Sequence, residues 1–176
     1  MTIVLVLISS ILFTNCKQNE QTSEVKEIEN VVEEVKVDLI NDEFPEAKAE
    51  VMKTFGEIAQ SIKDGEIDKL ISFHAYSSKF TEFKNGAPRN GSADNEAHER
   101  SVFGSVTDVV KFDAKDLQIA VYGEVANLTF HSDFHLKFGK DLVIVNDQIT
   151  LLFVNTAEGW KMVHEHHSPL QPKEEA

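Results

Sequence analysis

His164 and His166 stand two residues apart near the end of the chain, in the run Trp160-Lys161-Met162-Val163-His164-Glu165-His166-His167-Ser168. On an extended strand, residues two apart share a face and lie ~6.7 Å apart along it. Both imidazoles are therefore expected to project one way, together with Trp160, Met162 and Ser168. Three chemistries suit that pair. Two imidazoles grip a transition metal if a third ligand comes from elsewhere. One imidazole serves as general acid or base, because its ordinary pKa lies near neutrality. Either hydrogen-bonds a polar ligand in a pocket walled by Trp160. Against these stands a structural use, in which the rings bond backbone and neighbours. The ligand set is incomplete, so no metal is assigned, and no cofactor is expected.

The remaining histidines separate by position. His74 fills an apolar slot on the face set by Ile67, Leu70 and Ile71, and with Tyr76 it is the best polar candidate from the helical half. The candidate ligand-binding set is thus His74, Tyr76, Trp160, His164 and His166. His131 and His135 share a strand face but lie ~13 Å apart, too far to hold one ion without a bulge. His131 and Asp133 are on the same side and could pair. His98 reads as a surface residue. There is no phosphate-binding glycine loop, nucleophile elbow, paired-cysteine zinc motif or calcium loop.

The elements that must position these residues fall into two halves. Asn41-Asp42 offers an N-cap, and Pro45 sits where a first helical turn tolerates it. Val51, Met52, Phe55, Ile58, Ala59 and Ile62 then recur at helical spacing, and Gly65 stops the helix. A second helix follows with Ile67, Leu70, Ile71 and His74 on one face. Phe80 and Phe83 suggest a short extended piece, Asn85-Gly86 and Asn90-Gly91 are turns, and 94–106 reads as a third helix. Four strand-like runs follow at 107–122, 125–138, 142–154 and 160–167, broken at Gly123, Gly139-Lys140-Asp141 and Glu158-Gly159. Connections that short require antiparallel neighbours. In the second run Leu128, Phe130, Phe134, Leu136 and Phe138 take one face and polar residues the other, which puts the polar set on the outer sheet surface, solvated or in a dimer interface. Helices first and a bent meander afterwards make an α+β domain.

That order, with Gly65-Glu66-Ile67-Asp68 between the first two helices, resembles the nuclear transport factor 2-like superfamily. Gln148-Ile149-Thr150-Leu151-Leu152-Phe153, followed by Gly159-Trp160 through Ser168, resembles the last two strands of SnoaL-like domains, and is similar to the close of the calcium/calmodulin-dependent kinase II association domain. The resemblance covers about residues 44–170. It implies a cone-shaped barrel in which three N-terminal helices pack on a strongly bent antiparallel sheet. It also implies a pocket between helices and sheet, and often a homodimer packed through the sheet. Such relatives include isomerases, cyclases, dehydratases and non-enzymatic binding modules, so the fold alone does not give the function. Relatives often carry an acid just after the second helix; this chain reads His74-Ala75-Tyr76-Ser77 there.

The N-terminal residues carry a separate signal. Ile3 to Phe13 is apolar except for Ser9 and Ser10. Eleven helical residues rise only ~16 Å, about half a bilayer core, so this is not a membrane span, but it has the length of a signal-peptide apolar region. It ends at Cys16, the chain's single cysteine, and Lys17-Gln18-Asn19-Glu20 turns polar. The arrangement resembles a bacterial lipoprotein signal: residues 1–15 as signal peptide, Cys16 as the lipidated first residue of the mature chain, and a location in the bacterial cell envelope. Two details depart from that pattern, since no Lys or Arg precedes the apolar run and Asn15 is bulkier than usual. Residues 16–43 read as the lipidated cysteine and an acidic tether, and 44–176 as the domain. Val25, Ile28, Val32, Val35 and Leu39 follow a 3-4-3-4 spacing, either a short coiled coil that pairs protomers or a flexible spacer; two heptads are fewer than a coiled coil needs.

The chain has 176 residues and a formal net charge of −13, with 17 Lys+Arg against 30 Asp+Glu. No basic stripe is available for nucleic acid, so no nucleic-acid partner is expected. One cysteine excludes an intramolecular disulfide framework. Three functions remain: a membrane-anchored module whose pocket binds a small, partly apolar molecule; a dimerisation or assembly module; and an isomerase, cyclase or dehydratase using pocket histidines. The lack of a complete catalytic set places binding first.

Overall fold

The computed structural model describes residues 36–171. Cys16, the apolar run and most of the 25–39 stripe lie outside them. Among the described residues no helix is long and apolar enough to cross a membrane.

Three helices precede most of the sheet. Helix α1 spans Pro45–Asp64, with Pro45 at its first position. Its missing N–H is one of the donors a helix start leaves unpaired in any case. Gly65 ends it at φ 69°, a left-handed conformation that favours glycine, and the amides of Gly65 and Glu66 bond the carbonyls of Ile62 and Ser61. Val51, Phe55, Ile58 and Ile62 form its buried stripe. Helix α2, Ile67–Ser72, is shorter than the apolar spacing suggested. The chain leaves it at Phe73 because residues 73–75 dock on the last strand: Met162 N–H bonds Phe73 O, and Ala75 N–H bonds Met162 O, each at 2.8 Å. His74 therefore lies just past the helix rather than on it. Helix α3 spans Ser92–Phe103, starting and ending earlier than the expected 94–106.

The strands are β1 (Thr81–Lys84), β2 (Asp108–Tyr122), β3 (Val125–Phe138), β4 (Asp141–Val145), β5 (Asp147–Thr156) and β6 (Gly159–Pro169). They form one sheet in the order β1-β6-β5-β3-β2, with β4 also paired to β3. The sheet is curled but not closed, and the fold is α+β with its helices at the N-terminal side. The short connections give antiparallel pairs as expected. The exception is β1, reached through helical segments, which pairs parallel to β6. The run expected at 142–154 is two strands. Ser132, 2% exposed, bridges the break: its hydroxyl donates to Val145 O and accepts from Asp147 N–H at 2.8 Å. Strand β2 bends at two irregularities, one of them beside Asp116, whose φ is 53°. Such bulges increase twist and curl a sheet.

The inner face follows the alternation read from β3. Leu128, Phe130, Phe134 and Leu136 are buried, and Phe112 stacks on Phe134 with ring centroids 3.8 Å apart. On the outer face, Asp133 takes Lys111, Lys115 and His135, while His131 turns to Asp116. The expected His131–Asp133 pairing is therefore replaced by two others: the lysine ammoniums that β2 brings across satisfy Asp133, and Asp116 is offered by the β2 bend. Those lysines hold the Asp133 carboxyl well below its usual range.

Candidate functional site

Between the helices and the inner sheet face lies a cavity of about 300 Å³. Most of its wall is apolar: Phe55 and Ile58 from α1, Phe103 from α3, Phe130 and Phe134 from β3, Leu151 from β5. The polar lining gathers around the β1–β6 pair, where Lys84 stands opposite His167 in register. His74, His98, Glu99 and Glu165 belong to it, together with Asn85 and Asp147.

A one-residue bulge decides which end-strand residues enter the cavity. Leu152 pairs with His164, but the next residue of β5, Phe153, pairs with Met162, leaving Val163 unmatched on β6. Strand side chains alternate, so one extra residue reverses every face beyond it. Trp160 and Met162 are buried before the bulge; Glu165 and His167 take the inner face after it. His164 and His166 consequently point away from the cavity. The expectation that they line the pocket with Trp160 is corrected on this ground. His164 instead uses Nδ1 against Thr81, 2.9 Å from its hydroxyl, and Phe83 meets both rings edge-on.

The other expected residues divide likewise. His74 lines the cavity and is 7% exposed. Tyr76 stacks on His74 at 5.0 Å but stands behind it, its hydroxyl donating to Asn95 Oδ1 at 2.6 Å. Burial raises the Tyr76 pKa, so its hydroxyl keeps its proton. Trp160 is 4% exposed under α1, with its indole N–H donated to Glu50 at 3.1 Å. It supports the wall without lining it. His98, read as surface, lines the cavity: its Nε2 accepts from Lys84 Nζ at 2.6 Å. Burial first, and Lys84 second, lower its pKa.

Glu165 is the centre of the polar group. Its Oε1 meets His74 Nε2 at 2.9 Å and Asn95 Nδ2 at 3.4 Å; its Oε2 meets His167 Nε2 at 3.2 Å. Burial alone would raise its pKa. The hydrogen bonds from His167 and His74 outweigh burial and hold the carboxyl well below its usual range. His74 Nδ1 faces Leu70 O, an acceptor with no proton to give, so Nδ1 carries a hydrogen. Both ring nitrogens of His74 are thus engaged, Nε2 with Glu165 in a buried pair.

Glu99 behaves oppositely. It is 6% exposed, and burial first, with the charge of Glu165 second, raises its pKa well above the usual range. Two carboxyls of one cavity are thus pushed in opposite directions, Glu99 toward the neutral acid and Glu165 toward the ionised form. Behind them Glu82, fully buried, accepts at Oε2 from Asn90 Nδ2 at 2.9 Å, while its Oε1 has no hydrogen-bond partner among the described residues.

A sequence model of the SnoaL-like domain family matches residues 51–172. A search of curated protein sequences finds no match. Among solved structures, a proposed dehydratase of the nuclear transport factor 2-like family from Streptomyces avermitilis is similar at a TM-score of 0.65 and 19% identity, covering 73% of this chain and 99% of that one. A proposed aromatic ring hydroxylase from Novosphingobium aromaticivorans is similar at 0.60 and 18%, covering 73% and 92%. A proposed calcium/calmodulin-dependent kinase II association domain from Exiguobacterium sibiricum is similar at 0.59 and 16%, covering 71% and 94%. Likeness at such identities carries the fold.

Proposed function

The chain belongs to the SnoaL-like domain family, and from that premise we propose that its cavity binds a small, mostly apolar molecule bearing one polar group. The observation that carries this reading is the division of the cavity wall: aromatic and aliphatic side chains over most of it, and Glu99, Glu165 and His167 together around the β1–β6 pair. Apolar lining with a few convergent polar groups is what ligand sites require, and about 300 Å³ lies at the small end of their range. Lipidation of Cys16 belongs to the same proposal and places the cavity at the bacterial envelope; pairing of two copies through the outer sheet face does not compete with it.

The test is thermal unfolding with three matched probes: 3-phenylpropan-1-ol, 3-phenylpropionate and propylbenzene. A ligand that binds only the folded state raises Tm with concentration. The alcohol is expected to raise it more than propylbenzene, which leaves the polar group unanswered. No shift with any probe overturns the reading. Labelling with an alkyne fatty acid tests the anchor: label lost in Cys16→Ala supports it, and equal label refutes it.

One observation favours a second reading, acid/base catalysis. Environments that push two carboxyls of one site apart assign an acid and a base, and Glu99 and Glu165 form such a pair. In this chain Glu99 would donate and the His167–Glu165 unit would accept, a different set from the His164 and His166 first considered.

A further inference from the structure

The unpartnered Glu82 oxygen has a setting that the ligand reading does not use. One ligand atom each from Glu82, Glu165 and His167 lies within 4.8 Å of the other two. We propose that these three side chains form a site for a divalent first-row transition ion of the zinc class, with its open coordination position toward the cavity.

The support is the way each ligand is held. Metal-binding carboxylates are oriented by outer hydrogen bonds that occupy one oxygen and leave the other for the ion. Glu82 gives Oε2 to Asn90 and keeps Oε1 free. Glu165 gives Oε1 to His74 and Asn95, and turns Oε2 toward His167. Ligands at zinc distances around a tetrahedral ion stand about 3.4 Å apart, and Glu165 Oε2 and His167 Nε2 are 3.2 Å apart. The Glu82 oxygen lies within 4.8 Å of both and approaches through its side-chain torsions, while the Nε2 proton that His167 shares with Glu165 leaves to solvent as the ion binds. Three protein ligands with a fourth position left open is the zinc arrangement that keeps room for water or substrate. Glu165 and His167 both line the cavity, so that position faces it.

A buried carboxylate oxygen without a donor is also unfavourable unless something answers it. Lys84 Nζ forms only a long ion pair with Glu82 Oε1, at 3.9 Å and beyond hydrogen-bond reach, and donates its hydrogen bond to His98. A cation between Glu82 and Glu165 supplies the missing partner. His164 and His166, the pair the spacing first offered as ligands, lie on the opposite face and take no part.

The test uses the full chain in detergent, free of any affinity tag and stripped with chelator. Equilibrium dialysis against ZnCl2 is read by elemental analysis, and CoCl2 is followed by its visible absorption. The wild type is expected to take up one equivalent of zinc, and the cobalt form to show the intense bands of a four- or five-coordinate ion. Glu82→Gln and His167→Gln should each weaken uptake by about tenfold or more, while His166→Gln leaves it unchanged. If Glu82→Gln fails to fold by circular dichroism, His167→Gln and the cobalt spectrum still decide. No stoichiometric uptake, equal uptake in a folded Glu82→Gln or His167→Gln variant, or loss in His166→Gln overturns the proposal. Because the phenylpropyl probes bind without metal, failure here is distinct from failure of the ligand reading.

Discussion

His74→Phe separates the buried His74–Glu165 pairing from mere packing. Phenylalanine keeps a ring against Tyr76, so the 5.0 Å stack is largely retained, but Glu165 loses the donor at 2.9 Å in a site where it is 4% exposed. Removing one partner of a buried ion pair costs about 3–5 kcal/mol. His167 and Asn95 remain on the carboxylate, which places the expected loss near the lower end, about 3 kcal/mol, or roughly 10–15 °C in Tm for a domain of this size. The variant also changes how stability responds to pH. In the wild type the Glu165 pKa is depressed by its hydrogen bonds, so its contribution is full above the ordinary carboxylate value and is lost only as pH falls through the depressed one. In His74→Phe the His167 bond, which lowers that pKa most, remains, so the pKa rises from its depressed position and the contribution is lost at a higher pH than in the wild type. Urea denaturation at pH 7, with chelator present, should show a deficit of about 3 kcal/mol, and the acid-unfolding midpoint should move to higher pH. A deficit under about 1 kcal/mol at pH 7, or an unmoved acid midpoint, refutes the buried pair.

Other expectations follow from the same geometry. Glu99→Gln should raise stability at pH 7 relative to the wild type, with the gain shrinking as pH falls, since a carboxyl whose folded pKa is raised loses stability as pH rises and the amide does not; urea denaturation reads it, and a loss of stability contradicts the assignment. If the acid/base reading holds, the wild type should exchange the protons beside the carbonyl of 4-phenylbutan-2-one into deuterium oxide faster than buffer, and Glu99→Gln should not; equal exchange removes the reading. Strand β4 exposes Leu142, Val143 and Ile144 at 50, 43 and 52%. Sedimentation should find a dimer that Ile144→Lys dissociates, and a monomer in both ends the assembly role.

The readable part of the fold was the part built on local rules. Apolar spacing from Val51 to Ile62, Pro45 and Gly65 defined α1 because each acts within a few residues. The alternation of β3 set the inner sheet face. The site was less legible, for two physical reasons. The bulge at Val163 rests on how β5 meets β6, and no residue type there announces it, so the parity that placed His164 and His166 inward was reversed beyond Met162. Helix α3 turns Asn95, His98 and Glu99 inward to meet the polar group, with Asn95 and Glu99 buried. A helix with a polar buried face lacks the apolar period by which inward positions are found. The available signal was the spacing of Asn95, Glu99, Val102 and Phe103, which places them on one helical face.

Methionine supplies the most direct test of the central claim, that the cavity holds a small, mostly apolar molecule. The chain has 3 methionines. Met162 is 3% exposed in the cavity wall, whereas Met52 is 46% exposed on α1. With 13C-methyl methionine, titration with 3-phenylpropan-1-ol is expected to move the Met162 signal, assigned by Met162→Leu, along a saturable curve while Met52 stays in place. Val145→Phe, which fills the cavity from its wall, should abolish the shift without unfolding the chain. An unmoved Met162, or equal and unsaturable shifts at Met52, would contradict the account.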